Sequence, residues 1–419
     1  MKLLVVGSGL AGATAALSAR SAEAEVTLVG RAPGATALCL GLLEVARGGL
    51  GATAAARALA ELRPGHPYAS LRGALDRMDE ALAFGNEALG GPWVATPSGG
   101  RYIDPLGSLH DAPFALASQA RGALVPGVRV GVASFRGQPA WLDGELVAGS
   151  LREAGIAAED CPLDLVLRED RLSASLFAVA AAFDDPAEAT RLGQSIARAR
   201  KPDWTLVLLP AMIGGGGPLC GPTGGAFQLD RPGGALDRVA AEAGVACGEL
   251  LAATPSVPGL RLQRLLERAL ADSGVTVVRG EIARLEQGQA ILAGGQRLEF
   301  DRAVLATGRY LGGGVRRDDR FVEPLVGLPL TEGLEPLDGA PIESYLGEGP
   351  GAPGAAFRAG VRIDERLRPL DLEGRPLPWL HAAGAVLGGA DPAVDGAGLG
   401  LAVFTGFLAG RFAVDGAGC

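Results

Sequence analysis

Three observations predict an α/β fold. An apolar run, a glycine turn and an Ala-rich helix open the chain; a strand, a glycine-rich loop and an apolar helix stand near residue 400; helices and strands of a different character lie between them. The predicted architecture is a discontinuous Rossmann-like domain with an inserted α/β or α+β second domain. At 419 residues the chain is too long for one simple core.

Each element follows from local pattern. Residues 2–6 (KLLVV) are apolar enough for a strand buried on both faces. Gly7 to Gly12 turn into a helix that ends near Arg20, and Val26 to Val29 make the second strand. The segment 34–46 (GATALCLGLLEVA) runs from a loop into an apolar helical stretch. Residues 128–135 read as a strand, 140–155 as an amphipathic helix, and 184–201 as a helix capped by Asp184 or Asp185 with Pro186 in its first turn. Residues 203–213 are a buried strand, and 214–225 a glycine- and proline-rich loop. Leu262, Leu265, Leu266 and Leu270 keep helical spacing ahead of Gly274 and a strand at 275–278. A strand ends at Ala306-Thr307-Gly308, and 378–413 reads as strand, glycine loop and closing helix.

The implied domains are a first segment at 1–84, an insertion at 85–257, a second segment at 258–314, a return to the inserted domain at 315–374 and a last segment at 375–419.

Composition removes several function classes. The net charge of -9 without a basic run argues against nucleic-acid binding. Cys39, Cys161, Cys220, Cys247 and Cys419 are isolated and form no CxxC, so reduced thiols are expected, without metal or iron–sulfur cluster. The first 24 residues superficially resemble a signal peptide, but Gly7, Gly9 and Gly12 interrupt the apolar run and have a better use in a turn. The stretch GLGLAVFTGFLAG is too short and glycine-rich to span a bilayer, so the chain is not expected to insert in membranes.

The chemistry resides in glycines. Gly7-Ser8-Gly9-Leu10-Ala11-Gly12 lies between a buried strand and a helix, the context a phosphate-binding turn requires. Gly7 permits the tight turn, Gly9 lets the backbone approach phosphate, and Gly12 allows helix and strand to pack. The helix N-terminus adds unpaired N–H groups and the positive end of its dipole. Near the other end, a strand, Ala383-Gly384 and a loop opening a final helix form the second contact motif of two-domain flavoproteins, with the helix facing the pyrimidine end of a flavin.

These stretches (VVGSGLAG, GATAL, PSVPGLRLQRLLERAL, VLATGRYLGGG and HAAGAVLGGADP) resemble the B-subunit family of the anaerobic glycerol-3-phosphate dehydrogenases, within the FAD-dependent, fumarate reductase-like superfamily. The resemblance spans residues 4 to 392. It implies a flavoprotein subunit that works beside a catalytic FAD subunit and an iron–sulfur membrane-docking subunit. That complex oxidises sn-glycerol 3-phosphate to glycerone phosphate and passes electrons to quinone. The expected location is cytoplasmic, at the inner face of the membrane through those partners.

The implied flavin scaffold comprises Gly7, Ser8, Gly9, Leu10, Ala11, Gly12, Arg31, Ala35, Thr36, Ala306, Thr307, Gly308, Gly384, Ala385, Gly388, Gly389, Gly398 and Leu399. Two acids common in flavoproteins are missing. Gly30 stands at the second strand tip, where a carboxylate usually holds the adenosine ribose, and Ala385 stands where an acid often meets the ribityl chain. Without the first, an adenosine half loses an anchor, so FMN is expected in preference to FAD; residues around Glu281 remain an alternative hold for adenine.

Catalytic candidates are few. His66 reads as a turn residue, His110 as a histidine of an exposed or cleft-lining loop, either an ordinary loop residue or a proton acceptor, and His381 as a buried strand histidine or a flavin-edge group. Arg101, Arg121 and Arg309 are candidates for binding a substrate phosphate, with Arg309 foremost because it follows the ATG strand end. The scarcity of a base favours electron relay over hydride acceptance. Two other functions stay open: a self-sufficient oxidoreductase of the fumarate reductase or succinate dehydrogenase type, and a structural subunit that has lost its flavin.

Overall fold

The computed structural model describes residues 1–47, 51–136, 142–164, 175–183, 185–213, 234–335, 337, 340–347 and 354–415. Its strands run β1 (Lys2–Val6), β2 (Glu25–Gly30), β3 (Trp93–Ile103), β4 (Leu109–Leu116), β5 (Arg129–Phe135), β6 (Ala157–Leu163), β7 (Leu206–Leu209) and β8 (Ala246–Glu249). After these come β9 (Thr276–Arg279), β10 (Ile282–Glu286), β11 (Gln289–Leu292), β12 (Arg297–Glu299) and β13 (Arg302–Leu305), and a last strand at Leu380–Ala382. Two compact units emerge: Met1–Thr36 with Glu44–Gly91 and Gln263–Cys419, and Ala37–Leu43 with Pro92–Leu262.

The first unit is built on a five-stranded parallel sheet, in the order Leu380–Ala382, β13, β1, β2, β9. The residue runs that read as buried strands are buried: Leu3 to Val5 and Val304 to Leu305 are at most 1% exposed. Helix α1 (Leu10–Ser21) follows β1 at once, with Gly9 as its extended N-cap. Because the strands are parallel, the turn after β1, the ATG after β13 and the Ala383-Gly384 after the last strand all leave by the same sheet edge.

The helix Gly398–Asp415 packs along α1. Small residues set their separation: a Cβ on Gly406 would lie 2.4 Å from the Ala11 carbonyl, and one on Gly410 would lie 2.5 Å from that of Ala15. Ser18 Oγ donates to the Phe407 carbonyl (2.9 Å). This helix is longer than the sequence suggests, and by length and apolarity alone it meets the requirement for crossing a membrane. Most of it is buried inside the unit, where it serves as core.

The second unit carries its own parallel sheet, ordered β6, β5, β7, β8, and an antiparallel hairpin of β3 and β4. Alternate residues feed two apolar clusters: Val130, Val132, Leu206 and Leu208 go to one, and Ala133, Phe135, Val207 and Leu209 to the other. A sheet covered on both faces makes this unit α/β, which resolves the choice between α/β and α+β. The helix Gly144–Glu153 is capped by Asp143, and Pro186–Ala199 by Asp185, whose side chain accepts from the Ala187 N–H (2.9 Å). The alternative cap Asp184 and the loop 214–225 lie outside the described residues.

Several boundaries differ from the sequence reading. Residues 39–46 form no helix. Gly41 adopts φ +107, and the stretch is held by tertiary bonds: Leu40 O accepts from Ala252 N–H (3.0 Å) and Gln119 Nε2 (2.7 Å), and Leu43 N–H donates to Phe114 O (3.0 Å). That ties 37–43 to the second unit. Residues 315–374, expected to return to the inserted domain, fall in the first unit. Leu330-Thr331 pairs with Gly360-Val361, and Gly388 N–H donates to Val361 O (3.0 Å), which binds the segment to the glycine loop after the last strand.

Candidate functional site

The three glycine motifs of the first unit converge. Gly7 adopts φ +119, and a Cβ there would lie 2.1 Å from the Ala306 carbonyl; on Gly12 it would lie 1.9 Å from the Gly7 carbonyl. Ala306 N–H donates to Val6 O (2.8 Å), which fastens the ATG end beside the turn. A Cβ on Gly384 would approach the Ala11 Cβ to 2.5 Å, so the loop after the last strand meets the first turn of α1. Gly384 is itself in the left-handed region (φ +77), with its N–H on Thr405 Oγ1 (2.9 Å).

The turn has room for an anion. Gly9 differs from Gly7 and Gly12: the nearest atom to a Cβ there is Thr36 Oγ1, at 3.6 Å. Thr36 lies on the short 3-10 turn Ala35–Leu38, and its hydroxyl accepts from the Leu10 N–H (2.9 Å). The later first-turn N–H groups of α1 have no partner within a helix and point along its axis toward incoming negative charge. Buried polar atoms without a hydrogen-bond partner lie on the elements around this corner: Thr307 Oγ1 in the ATG segment, and Oε1 of Gln263, whose Nε2 approaches the Ser8 carbonyl (3.4 Å). A nucleotide's oxygens and amino groups are the partners such atoms lack, so the residues fit a flavin nucleotide. Gln263 went unremarked in the sequence; its signal was an uncharged amide among the leucines and charges of 257–272.

The other residues of the expected scaffold lie in the same unit. Gly308 is left-handed (φ +74), Gly389 likewise (φ +87) with its N–H on Arg358 O (2.8 Å), and Gly398 and Leu399 open the last helix. Arg31, just past β2, pairs with Glu281 (3.4 Å). Gly30 is closed to a side chain: a Cβ would stand 2.4 Å from Ser8 Oγ, which donates to Ala32 O (3.0 Å).

The catalytic candidates divide between the units, His66, Arg309 and His381 in the first and Arg101, His110 and Arg121 in the second, and all but His381, whose buried Nδ1 has no hydrogen-bond partner among the described residues, are engaged by a neighbour. Arg309 donates through Nε to Ala385 O (3.2 Å), through Nη2 to Leu387 O (3.2 Å) and Ala390 O (2.9 Å), and through Nη1 to Phe357 O. Burial lowers its pKa to about 10. It ties the glycine loop to its surroundings and has no fork left for a substrate. Arg309→Lys is expected to lower stability by about 2–4 kcal/mol, since an ammonium cannot span four carbonyls; an unchanged urea midpoint would contradict this.

Arg101 is paired with Asp111 (2.8 and 3.1 Å) and Arg121 with Asp237 (2.6 Å). His110 lies in strand β4, not in a loop, and its Nε2 is 3.0 Å from Asp104 Oδ2. His66 is a buried N-cap whose Nδ1 accepts from Tyr68 N–H (3.2 Å), and His381 is buried in the last strand. Burial lowers both histidines to about 3, so both are neutral. Burial also raises the thiols, Cys39 and Cys247 to about 12 and Cys161 to about 11; Cys220 and Cys419 lie outside the described residues.

A parallel sheet with a glycine turn, an ATG end and a returning glycine loop at one edge defines a nucleotide-binding oxidoreductase of the flavoprotein type. The FAD binding domain family matches residues 2–148 and 346–401. A relative from Halobacterium salinarum, named as the probable B-subunit of an anaerobic glycerol-3-phosphate dehydrogenase, is 28% identical over 99% of this chain and 98% of its own length. One from Yersinia pestis bv. Antiqua, named as the B-subunit of the same type of enzyme, is 29% identical over 83% of this chain and 80% of its own. A solved flavocytochrome c3 fumarate reductase aligns with a TM-score of 0.46 at 13% identity, over 100% of this chain and 78% of that one. The chain fits the flavoprotein superfamily and is similar to the B-subunits of anaerobic glycerol-3-phosphate dehydrogenases. The matched family's description names FAD, and the expected preference for FMN finds no support in it.

Proposed function

We propose that this chain is the flavin-bearing, electron-handling subunit of a glycerol-3-phosphate:quinone oxidoreductase, with FAD as its flavin. One observation carries the choice of relay over substrate oxidation. Among the described residues, the three arginines considered for the substrate phosphate (Arg101, Arg121 and Arg309) are taken by carboxylates or carbonyls, and His66 and His381 are buried and neutral, so His110, paired with Asp104, is left without a free phosphate-binding arginine among these candidates. The relatives' names support the substrate and the multi-subunit setting.

A bound flavin supplies reversible two-electron acceptance. The chain's own part is to hold it. The α1 N-terminus and Gly9 receive the phosphate, Thr36 fixes the first N–H of that helix, and the loop 384–390, held by Arg309, borders the other end. The partners in this reading are a catalytic FAD subunit that meets sn-glycerol 3-phosphate and an iron–sulfur subunit that docks at the inner face of the membrane.

Anaerobic titration of the purified chain tests this. Dithionite is expected to bleach its flavin, and sn-glycerol 3-phosphate to bleach it only when the partner subunits are present. Stoichiometric bleaching of the isolated chain by sn-glycerol 3-phosphate would overturn the relay and make the chain a self-sufficient dehydrogenase. A purified chain without visible flavin absorption, before and after incubation with FAD, would make it a structural subunit.

A further inference from the structure

An adenosine half needs a hydroxyl acceptor near the tip of the second strand, and position 30 cannot supply one. The space of a Gly30 side chain is filled by Ser8, with Oγ and Cβ 2.4 and 2.5 Å from where a Cβ would stand. Ser8 is held there by its bond to Ala32 O (3.0 Å). An acid at 30 would require the phosphate-binding turn itself to move.

The neighbouring strand presents a carboxylate at the same level. Gly30 lies in register with Arg279 of β9, and Gly280 N–H donates to Gly30 O (3.2 Å). The next residue is Glu281. Its backbone is fixed on the other side by Ala293 N–H, which donates to Glu281 O (2.8 Å). Its carboxylate lies 3.4 Å from Arg31, the residue just past the tip of β2, while both side chains stay open, at 59% and 66% exposed. An ionised carboxylate has about four lone-pair sites. One guanidinium contact steers the group and leaves sites for two hydroxyls.

We propose that Glu281, steered by Arg31, is the acceptor for the adenosine ribose hydroxyls, and so does the work of the acid absent from position 30. The proposal rests on the FAD reading. It makes the second-strand tip a composite of two strands: Ser8 closes one side, and Glu281 reaches in from the other.

The test is equilibrium binding of FAD, FMN and the 2′-deoxyadenosine analogue of FAD to flavin-stripped chain, read by flavin fluorescence, with circular dichroism as the check on folding. Glu281→Ala is expected to weaken FAD about 10- to 100-fold, the value of a hydrogen bond to a charged group, and to change FMN affinity less than about threefold. The wild type should prefer FAD over its deoxy analogue, and Glu281→Ala should lose that preference. Arg31→Ala should weaken FAD less than Glu281→Ala does. If wild-type chain binds FMN as tightly as FAD, the FAD reading fails. If it prefers FAD and Glu281→Ala leaves that preference intact, the FAD reading stands and the assignment of Glu281 is wrong.

Discussion

Gly9→Val yields a folded chain that retains no flavin. The three glycines of the turn do different work, and the structure separates them. A side chain on Gly7 or Gly12 would collide with backbone carbonyls at 2.1 or 1.9 Å, so those substitutions break the turn. At Gly9 the backbone is ordinary extended chain (φ -76, ψ -177), and the nearest atom to a Cβ is 3.6 Å away. The protein alone therefore accepts a larger residue there. A valine's methyl groups would occupy the space above the first turn of α1, where a phosphate must come to meet the N–H groups. The expected loss of flavin affinity is at least about 100-fold, or about 2.7 kcal/mol, with Gly9→Ala in between. Gly12→Val is expected to lose the fold as well. Flavin content measured beside circular dichroism decides it: full occupancy in Gly9→Val would remove the phosphate from this turn.

Acid unfolds the chain early. His66 and His381 are 1% and 3% exposed, and burial holds both near a pKa of about 3 against an ordinary value of 6.5. Above 6.5 both are neutral in folded and unfolded chains, and their contribution is complete. As pH falls below 6.5, the unfolded chain takes up two protons that the folded chain refuses. Stability then drops by up to about 2.7 kcal/mol per pH unit, or about 4 kcal/mol by pH 5, a large share of the 5–15 kcal/mol a domain typically has. The Asp395 carboxyl acts in the opposite sense, since burial raises its pKa and its protonation in acid relieves the folded state. Asp104, lowered on balance by His110 and two backbone N–H groups against the opposing effect of burial, adds a further loss only near the ordinary carboxylate range. Urea unfolding at pH 7, 6 and 5 should show the slope, and His381→Leu should remove about half of it. A flat profile between pH 6.5 and 5 would mean that one or both histidines are charged in the folded chain.

What the sequence disclosed was local. The turn from Gly7 to Gly12, the strand ending at Gly308 and the loop opened by Gly384 each require glycine for a backbone reason, and each was found where expected. The alternation in β5 and β7 could be seen residue by residue, though not which strands they would pair with. What stayed hidden depends on distant partners. The apolar run 39–46 has helical composition, but Gly41 and the bonds to Gln119, Ala252 and Phe114 hold it in an irregular, non-helical path. Arg309 sits where a substrate ligand was expected, yet four carbonyls from two other segments claim it. Strands as short as Leu330-Thr331 and Gly360-Val361 leave no periodic trace, so the allegiance of 315–374 could not be read.

The glycine seam between α1 and the helix Gly398–Asp415 fixes an order of events during synthesis. Ser18 and Phe407, joined across it, are 389 positions apart. At about 5–20 residues per second, the ribosome takes roughly 20–80 s to make the second after the first. For that whole interval α1 lacks the helix that buries it, and for most of it β1 also lacks its central sheet neighbour β13. The cofactor turn is thus among the first parts translated and the last to be completed. The elements that converge on it stand together only once the chain has been made as far as its last helix.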